Sequence, residues 1–143
     1  MDIRRIDDRI SVAPQLDPAD VAEAAAQGFR AIVNNRPDDE EGGQPTGDAI
    51  RRAAEGAGLA YVAIPVTHAG FGMAQVDAMQ ATMAAAGGPV LAFCRSGTRS
   101  CNLWALAEAK GGGDPEVIVE RARAGGYDLS GLKPTLEALA ARR

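Results

Sequence analysis

The stretch Pro89-Val90-Leu91-Ala92-Phe93-Cys94-Arg95-Ser96-Gly97-Thr98-Arg99-Ser100 decides how this chain is read. Pro89 to Phe93 is apolar and uncharged, as expected of a strand covered on both faces. A Gly/Ser/Thr turn follows, then a helix predicted from Ser100 to Lys110 and closed by Gly111 to Gly113. Cys94 therefore falls at the carboxyl end of a buried strand, where open α/β sheets place their sites. Backbone N–H groups entering the helix lack intrahelical acceptors and can converge on an anion. Gly97 permits the tight turn. Arg99 is permanently charged and can grip an oxyanion with two parallel hydrogen bonds. A helix N-terminus and nearby guanidinium groups favour thiolate, the nucleophilic form of cysteine. Cys94 is thus the candidate nucleophile, and Arg99 with the loop amides of Arg95, Ser96, Gly97 and Thr98 would stabilise negative charge beyond it. The Ser100 hydroxyl is a candidate to bond the thiolate or assist a leaving group. The alternative is a buried structural cysteine, and two arginines and a glycine so close to it weigh against that.

Working outward, short apolar runs alternate with helical ones. Strands are predicted at Ile3 to Ile6, Ile10 to Val12, Ala31 to Val33 and Leu59 to Val66, with Pro65 marking the end of the last. Asp17-Pro18 and Asp114-Pro115 each pair an N-cap with a proline at the first helical position. Helices are predicted from Pro18 to Gln27, from Thr46 or Asp48 to Ala57, and over Met73 to Ala86, Glu116 to Ala124 and Leu132 to Ala141. This alternation implies an α/β fold, a mainly parallel central sheet flanked by helices, built as one domain over residues 1–143.

Composition narrows the function. The chain has 143 residues, and its formal net charge of −4 disfavours nucleic acid as a partner, which needs a basic face. Two cysteines and one histidine are too few for a disulfide scaffold or most structural zinc sites, so no metal or other cofactor is expected. No apolar run approaches a membrane span and the N-terminus carries no targeting pattern, so a cytoplasmic protein is expected, with no membrane partner and with thiols rather than a bridge.

Cys94-Arg95-Ser96-Gly97-Thr98-Arg99 resembles the active loop of rhodanese-type sulfurtransferases, whereas the order of elements resembles dual-specificity phosphatases. One bacterial family joins both: the phosphatase-like domain of beta-lactamase hydrolase-like proteins, also classed as sulfurtransferases. The resemblance includes Asn34-Asn35-Arg36-Pro37-Asp38, Tyr61 to Val66, Leu103-Trp104-Ala105-Leu106 and Gly126-Tyr127-Asp128-Leu129. It implies a cysteine-phosphatase (dual-specificity phosphatase-like) fold and places Arg36 and Asp38 at the border of the active site, a salt-bridged loop anchor being the alternative for them.

Spacing bears on the reaction. Four residues separate Cys94 from Arg99. The resemblance gives phosphatases one residue more, a ring wide enough for a phosphoryl group, and gives the shorter spacing to rhodaneses. Those phosphatases carry an aspartic acid on a loop matching Thr67-His68-Ala69-Gly70-Phe71-Gly72, which has no carboxylate here. Such an acid contributes about 10²–10⁴-fold, so its absence matters for alkyl phosphates and not for sulfur leaving as a thiolate. The favoured expectation is a sulfurtransferase acting through a Cys94 persulfide on a small anionic or sulfane-sulfur donor, with a thiol acceptor. The alternatives are a phosphatase acting through phosphocysteine, on a phosphoprotein for example, and a non-catalytic sulfane-sulfur or anion-binding module. Asp38 is the best candidate for a general acid supplied from elsewhere. His68 is a second candidate acid, or a residue that orients substrate, alongside Arg36 and Arg95. Cys101 reads as a core thiol, with resolution of an oxidised Cys94 as the alternative. The acids Asp38 to Glu41 read as a solvated loop, and Arg95 and Arg99 as a local positive site.

Overall fold

A computed structural model describes residues 1–142. Five strands form one sheet: β1 (Arg4–Arg5), β2 (Ile10–Ala13), β3 (Ala31–Asn34), β4 (Ala60–Ala63) and β5 (Val90–Phe93), in spatial order β1-β2-β5-β3-β4. Only β1 runs antiparallel, on β2; the other pairs are parallel. The helices are α1 (Pro18–Ala26), α2 (Gly47–Gly56), α3 (Met73–Ala85), α4 (Thr98–Lys110), α5 (Pro115–Ala124) and α6 (Lys133–Ala141), the last preceded by a 3₁₀ turn at Ser130–Leu132. The expected fold class is the observed one.

Strand periodicity splits the core in two. Ile32, Leu91 and Phe93 face a cluster built with Val21 of α1 and with Ile50 and Ala54 of α2. Val33, Val90 and Ala92 face the opposite way, onto Met79 of α3, Leu103 and Trp104 of α4, and Leu136 of α6. Every residue of β2, β3 and β5 is buried. That explains their lack of charge, since an ion there would have no water and no partner.

The fourth strand is shorter than the predicted Leu59 to Val66. It lies at the sheet edge and pairs only with β3, and its ladder stops before Pro65, which has no N–H to give. Beyond the ladder, Ile64 and Val66 N–H groups bond the carbonyls of Asn34 and Asn35 at 2.9 and 3.0 Å. The chain is thereby held along the carboxyl edge of the sheet although it has left the strand.

Candidate active site

Three loops meet at the carboxyl ends of β3, β4 and β5. The first carries Cys94. Its backbone N–H bonds Ala13 O at the end of β2, at 3.3 Å, and its side chain is fully buried. The chain then turns through Gly97, whose φ is 91°, and enters α4 at Thr98. Gly97 N–H donates to Cys94 Sγ at 3.1 Å, so the turn folds one loop amide directly onto the sulfur. Glycine is required there twice over. Its φ disfavours a side chain, and a Cβ would lie 2.2 Å from Tyr127 Oη. Tyr127 in turn donates to Ser96 O at 3.1 Å, pinning the outer limb of the loop. Ser96 and Thr98 are exposed, their hydroxyls 3.1 Å apart at the rim.

The second loop follows β3, and two asparagines organise it. Asn34 Oδ1 accepts from Arg36 N–H at 2.9 Å, and Asn34 Nδ2 donates to Tyr61 Oη at 3.0 Å. Asn35, fully buried, uses its N–H on Phe93 O, its Nδ2 on Ile64 O, and its Oδ1 to accept from Ser100 Oγ at 2.8 Å. One amide side chain thus joins β4 to α4, and the main chain beneath it holds β5. This corrects the role expected of Ser100. A hydroxyl has one proton, and that of Ser100 is committed to Asn35 rather than to the thiolate.

The same loop then folds back over the arginines; Asp38 to Glu41 are exposed, as expected of a solvated run, but two of the four acids also pair with arginines. Glu40 takes a bidentate ion pair from Arg99, Nη1 to Oε2 at 2.6 Å and Nη2 to Oε1 at 2.8 Å. Arg36 Nε adds a third bond to Oε1 at 2.9 Å. The Arg99 guanidinium beside it, and then Arg36, hold the Glu40 carboxyl down at about 2 against the opposing effect of burial. Glu40 is therefore an anion at neutral pH and no proton donor. Arg99 also donates to Val66 O at 2.7 Å, and its charged form is favoured first by Glu40 and further by the neighbouring Cys94. Glu41 pairs with Arg95 at 3.1 Å. The site is consequently not the positive patch expected from Arg95 and Arg99, because the acids two strands away in sequence neutralise both.

Arg36 takes the anchoring alternative and not the substrate-binding one. Its side chain is 3% exposed and spans Glu40 and Gln15, the latter at 3.0 Å, so it anchors the loop from behind rather than reaching substrate. Asp38, Asp39, Glu40, His68, Arg95 and Arg99 do come together, around a cleft of about 340 Å³. Asp38 holds Gly47 N–H with Oδ1 at 2.7 Å. His68 is exposed, on the turn after β4. A larger apolar groove of about 520 Å³ lies between α3 and α6 and is lined by none of these groups. Cys101 sits in the core; burial pushes its thiol up to about 12, with the nearby Cys94 adding to the effect. It is a packed thiol and a poor resolving nucleophile. The sequence reading missed Glu40 altogether. Its only signal was that its acidic run follows a strand at the same sheet edge as the cysteine.

No helix among the described residues is long and apolar enough to cross a membrane. Comparison with known proteins agrees with the geometry. Residues 2–111 match the family described as beta-lactamase hydrolase-like protein, phosphatase-like domain. A beta-lactamase hydrolase-like protein of Agrobacterium fabrum is 40% identical over 134 residues, 93% of this chain and 31% of that protein. One from Xylella fastidiosa strain Temecula1 is 39% identical over 130 residues, 90% of this chain and 30% of its own length. The chain thus spans about a third of the length of these curated relatives. Among solved structures, a candidate phosphatase from Neisseria meningitidis superposes with a TM-score of 0.83 at 34% identity, covering 97% of this chain and 99% of that one. Pseudomonas aeruginosa TpbA, in complex with phosphotyrosine, shares the fold at a TM-score of 0.66 and 17% identity, over 99% of this chain and 89% of its own. With two-thirds of the chain and more matched in each comparison, the chain belongs to the phosphatase-like domain family of beta-lactamase hydrolase-like proteins.

Proposed function

We propose that this domain is a Cys94-dependent sulfurtransferase. The observation that carries the reading is the short loop: four residues between Cys94 and Arg99, closed so tightly that Gly97 N–H bonds the sulfur itself. Such a ring suits one added sulfur atom better than a tetrahedral phosphoryl group. Two features support it. The turn at residues 67–72 contributes no carboxylate, and Glu40 is held ionised, so neither supplies the proton that an alkoxide leaving group needs.

In the proposed reaction the Cys94 thiolate attacks the outer sulfur of a sulfane donor. The new S–S bond forms as the donor's breaks, and the donor leaves as sulfite or as a thiolate. Gly97 N–H and Arg99 stabilise the charge on the bound sulfur. An acceptor thiolate then attacks that outer sulfur, and Cys94 leaves as the thiolate it began as. No net oxidant is consumed.

The second reading is a phosphatase acting through phosphocysteine. The fold neighbours favour it, since the Neisseria protein is described as a candidate phosphatase and TpbA holds phosphotyrosine. Asp38, on the cleft wall, is then the group to protonate the leaving oxygen. A direct comparison separates the two. Thiosulfate or an organic hydropersulfide should add about 32 Da, one sulfur, to Cys94 and not to a Cys94→Ser variant. Steady turnover of phosphotyrosine with no mass added by either sulfur donor would assign the phosphatase instead.

A further inference from the structure

We propose that Tyr127 is a positioning residue for Cys94: its hydroxyl locks the Ser96–Gly97 peptide with the N–H on the sulfur, and so favours the thiolate. This role rests on Cys94 being the nucleophile of the function proposed above, and is the same whether sulfur or phosphorus is attacked.

One peptide group carries both contacts. Its carbonyl, Ser96 O, accepts from Tyr127 Oη at 3.1 Å, and its N–H, that of Gly97, donates to Cys94 Sγ at 3.1 Å. A trans peptide is planar, with C=O and N–H on opposite edges. A partner on each edge therefore fixes the plane, and the hydroxyl polarises the N–H toward the sulfur. Glycine at 97 makes such a lock necessary. From φ 91° the peptide can turn over, φ changing sign, without driving a Cβ into its surroundings. The inverted peptide would aim Ser96 O at the sulfur, where it would accept the thiol proton and favour the neutral form.

The tyrosine is delivered by the end of α5. Gly126, at φ 97°, closes that helix with Tyr127 N–H on Ala122 O and Gly126 N–H on Arg123 O, both at 2.9 Å, the paired bonds of a Schellman cap. Arg4 stands over the ring, 5.6 Å from its centroid. With backbone and ring both held, Oη lies only 2.2 Å from where a Cβ on Gly97 would be, close against the peptide it locks. Burial pushes the Tyr127 phenol up from its ordinary value, so the proton it donates is present at neutral pH. The other charged or titratable groups around the pair are Arg99, itself paired with Glu40, and Cys101 on α4, with Asp2 and Arg4 beside the ring.

The test follows the ionisation of Cys94 by ¹³C NMR of its Cβ, assigned with Cys94→Ser. Tyr127→Phe keeps the ring and removes only the oxygen. Its Cys94 midpoint should lie about one pH unit above that of the wild type, a tenfold loss of thiolate below both midpoints. Ile118→Val, a core change of similar cost to stability, should leave the midpoint in place. A Tyr127→Phe midpoint within about 0.3 pH unit of the wild type, or an equal rise in Ile118→Val, overturns the proposal. Should Tyr127→Phe not fold, the wild type decides: the Gly97 amide proton and the Tyr127 Cζ should both shift through the Cys94 titration, and either one unmoved overturns it. Loading of Cys94 by an organic hydropersulfide should slow about tenfold in Tyr127→Phe below the midpoint and recover above it; slowing that persists at alkaline pH would mark a merely structural residue and overturn the role. Absence of any sulfur adduct in the wild type would remove the sulfurtransferase reading, while the NMR titration would still judge Tyr127.

Discussion

Gly97→Ala tests whether the cysteine loop is held by the contacts described. Two costs act at once. A residue with a Cβ at φ 91° is strained by about 1–2 kcal/mol. The new methyl would also fall 2.2 Å from Tyr127 Oη and 3.1 Å from Tyr127 Cζ, so the ring must retreat. Retreat breaks the bond from Tyr127 to Ser96 O, a further loss of about 0.5–1.5 kcal/mol. Together they predict a loss of about 1.5–3.5 kcal/mol, or a melting temperature lower by about 5–12 °C for a chain of this size. Thermal unfolding followed by circular dichroism measures it. Tyr127→Phe supplies the internal check. Alone it should cost about 1 kcal/mol, the hydrogen bond to Ser96 O. Combined with Gly97→Ala it removes the oxygen that collides, so the double variant should be more stable than the sum of the single effects predicts. A Gly97→Ala protein melting within about 2 °C of the wild type, or strict additivity with Tyr127→Phe, would refute the account.

Three further outcomes are expected. Glu40 has a carboxyl held at about 2 when folded against an ordinary 4.5, so its ion pairs stabilise the protein at neutral pH and are lost as pH falls from about 4.5 towards 2. Solvent screening at this exposed residue limits the loss to about 1 kcal/mol in acid unfolding, and Glu40→Gln should flatten that limb of the curve. Ser100→Ala leaves the buried Asn35 Oδ1 without its donor and should cost about 1–3 kcal/mol in urea unfolding; a stability equal to wild type would contradict the Asn35–Ser100 bond. Cys101, with its thiol pushed up to about 12 by burial, should resist iodoacetamide in the native protein at neutral pH and react only on denaturation, as read by peptide mass spectrometry.

The strands were legible because burial on both faces leaves few residue types. Ala31-Ile32-Val33 and Val90-Leu91-Ala92-Phe93 admit little else, and Asp17-Pro18 and Asp114-Pro115 mark helix starts by local chemistry alone. The turn that carries Cys94, Gly97 and Arg99 into α4 was legible too, since its geometry depends on neighbours within one turn. What escaped was long-range pairing. Ser100 meets Asn35 and Arg99 meets Glu40 across the sheet, separations of 65 and 59 residues that no local pattern encodes. An acidic run looks the same whether it faces water or an arginine fork. Arg36 illustrates the converse: a guanidinium after a strand fits a substrate contact or a loop anchor equally, and only the fold shows it turned inward onto Glu40 and Gln15.

The strand order has a consequence for how the protein is made. The fifth strand in the chain is the middle one of the sheet, inserted between β2 and β3. Until Val90 to Phe93 leave the ribosome, β2 and β3 have no common neighbour, and each presents an open row of backbone donors and acceptors. The segment that closes this gap also ends in Cys94. Synthesis therefore couples two events: the sheet loses its sticky inner edges at the moment the thiol is sealed into its loop. A nascent chain arrested before residue 90 exposes both inner edges and lacks Cys94, whereas one long enough to bear the thiol already holds the strand that shelters it.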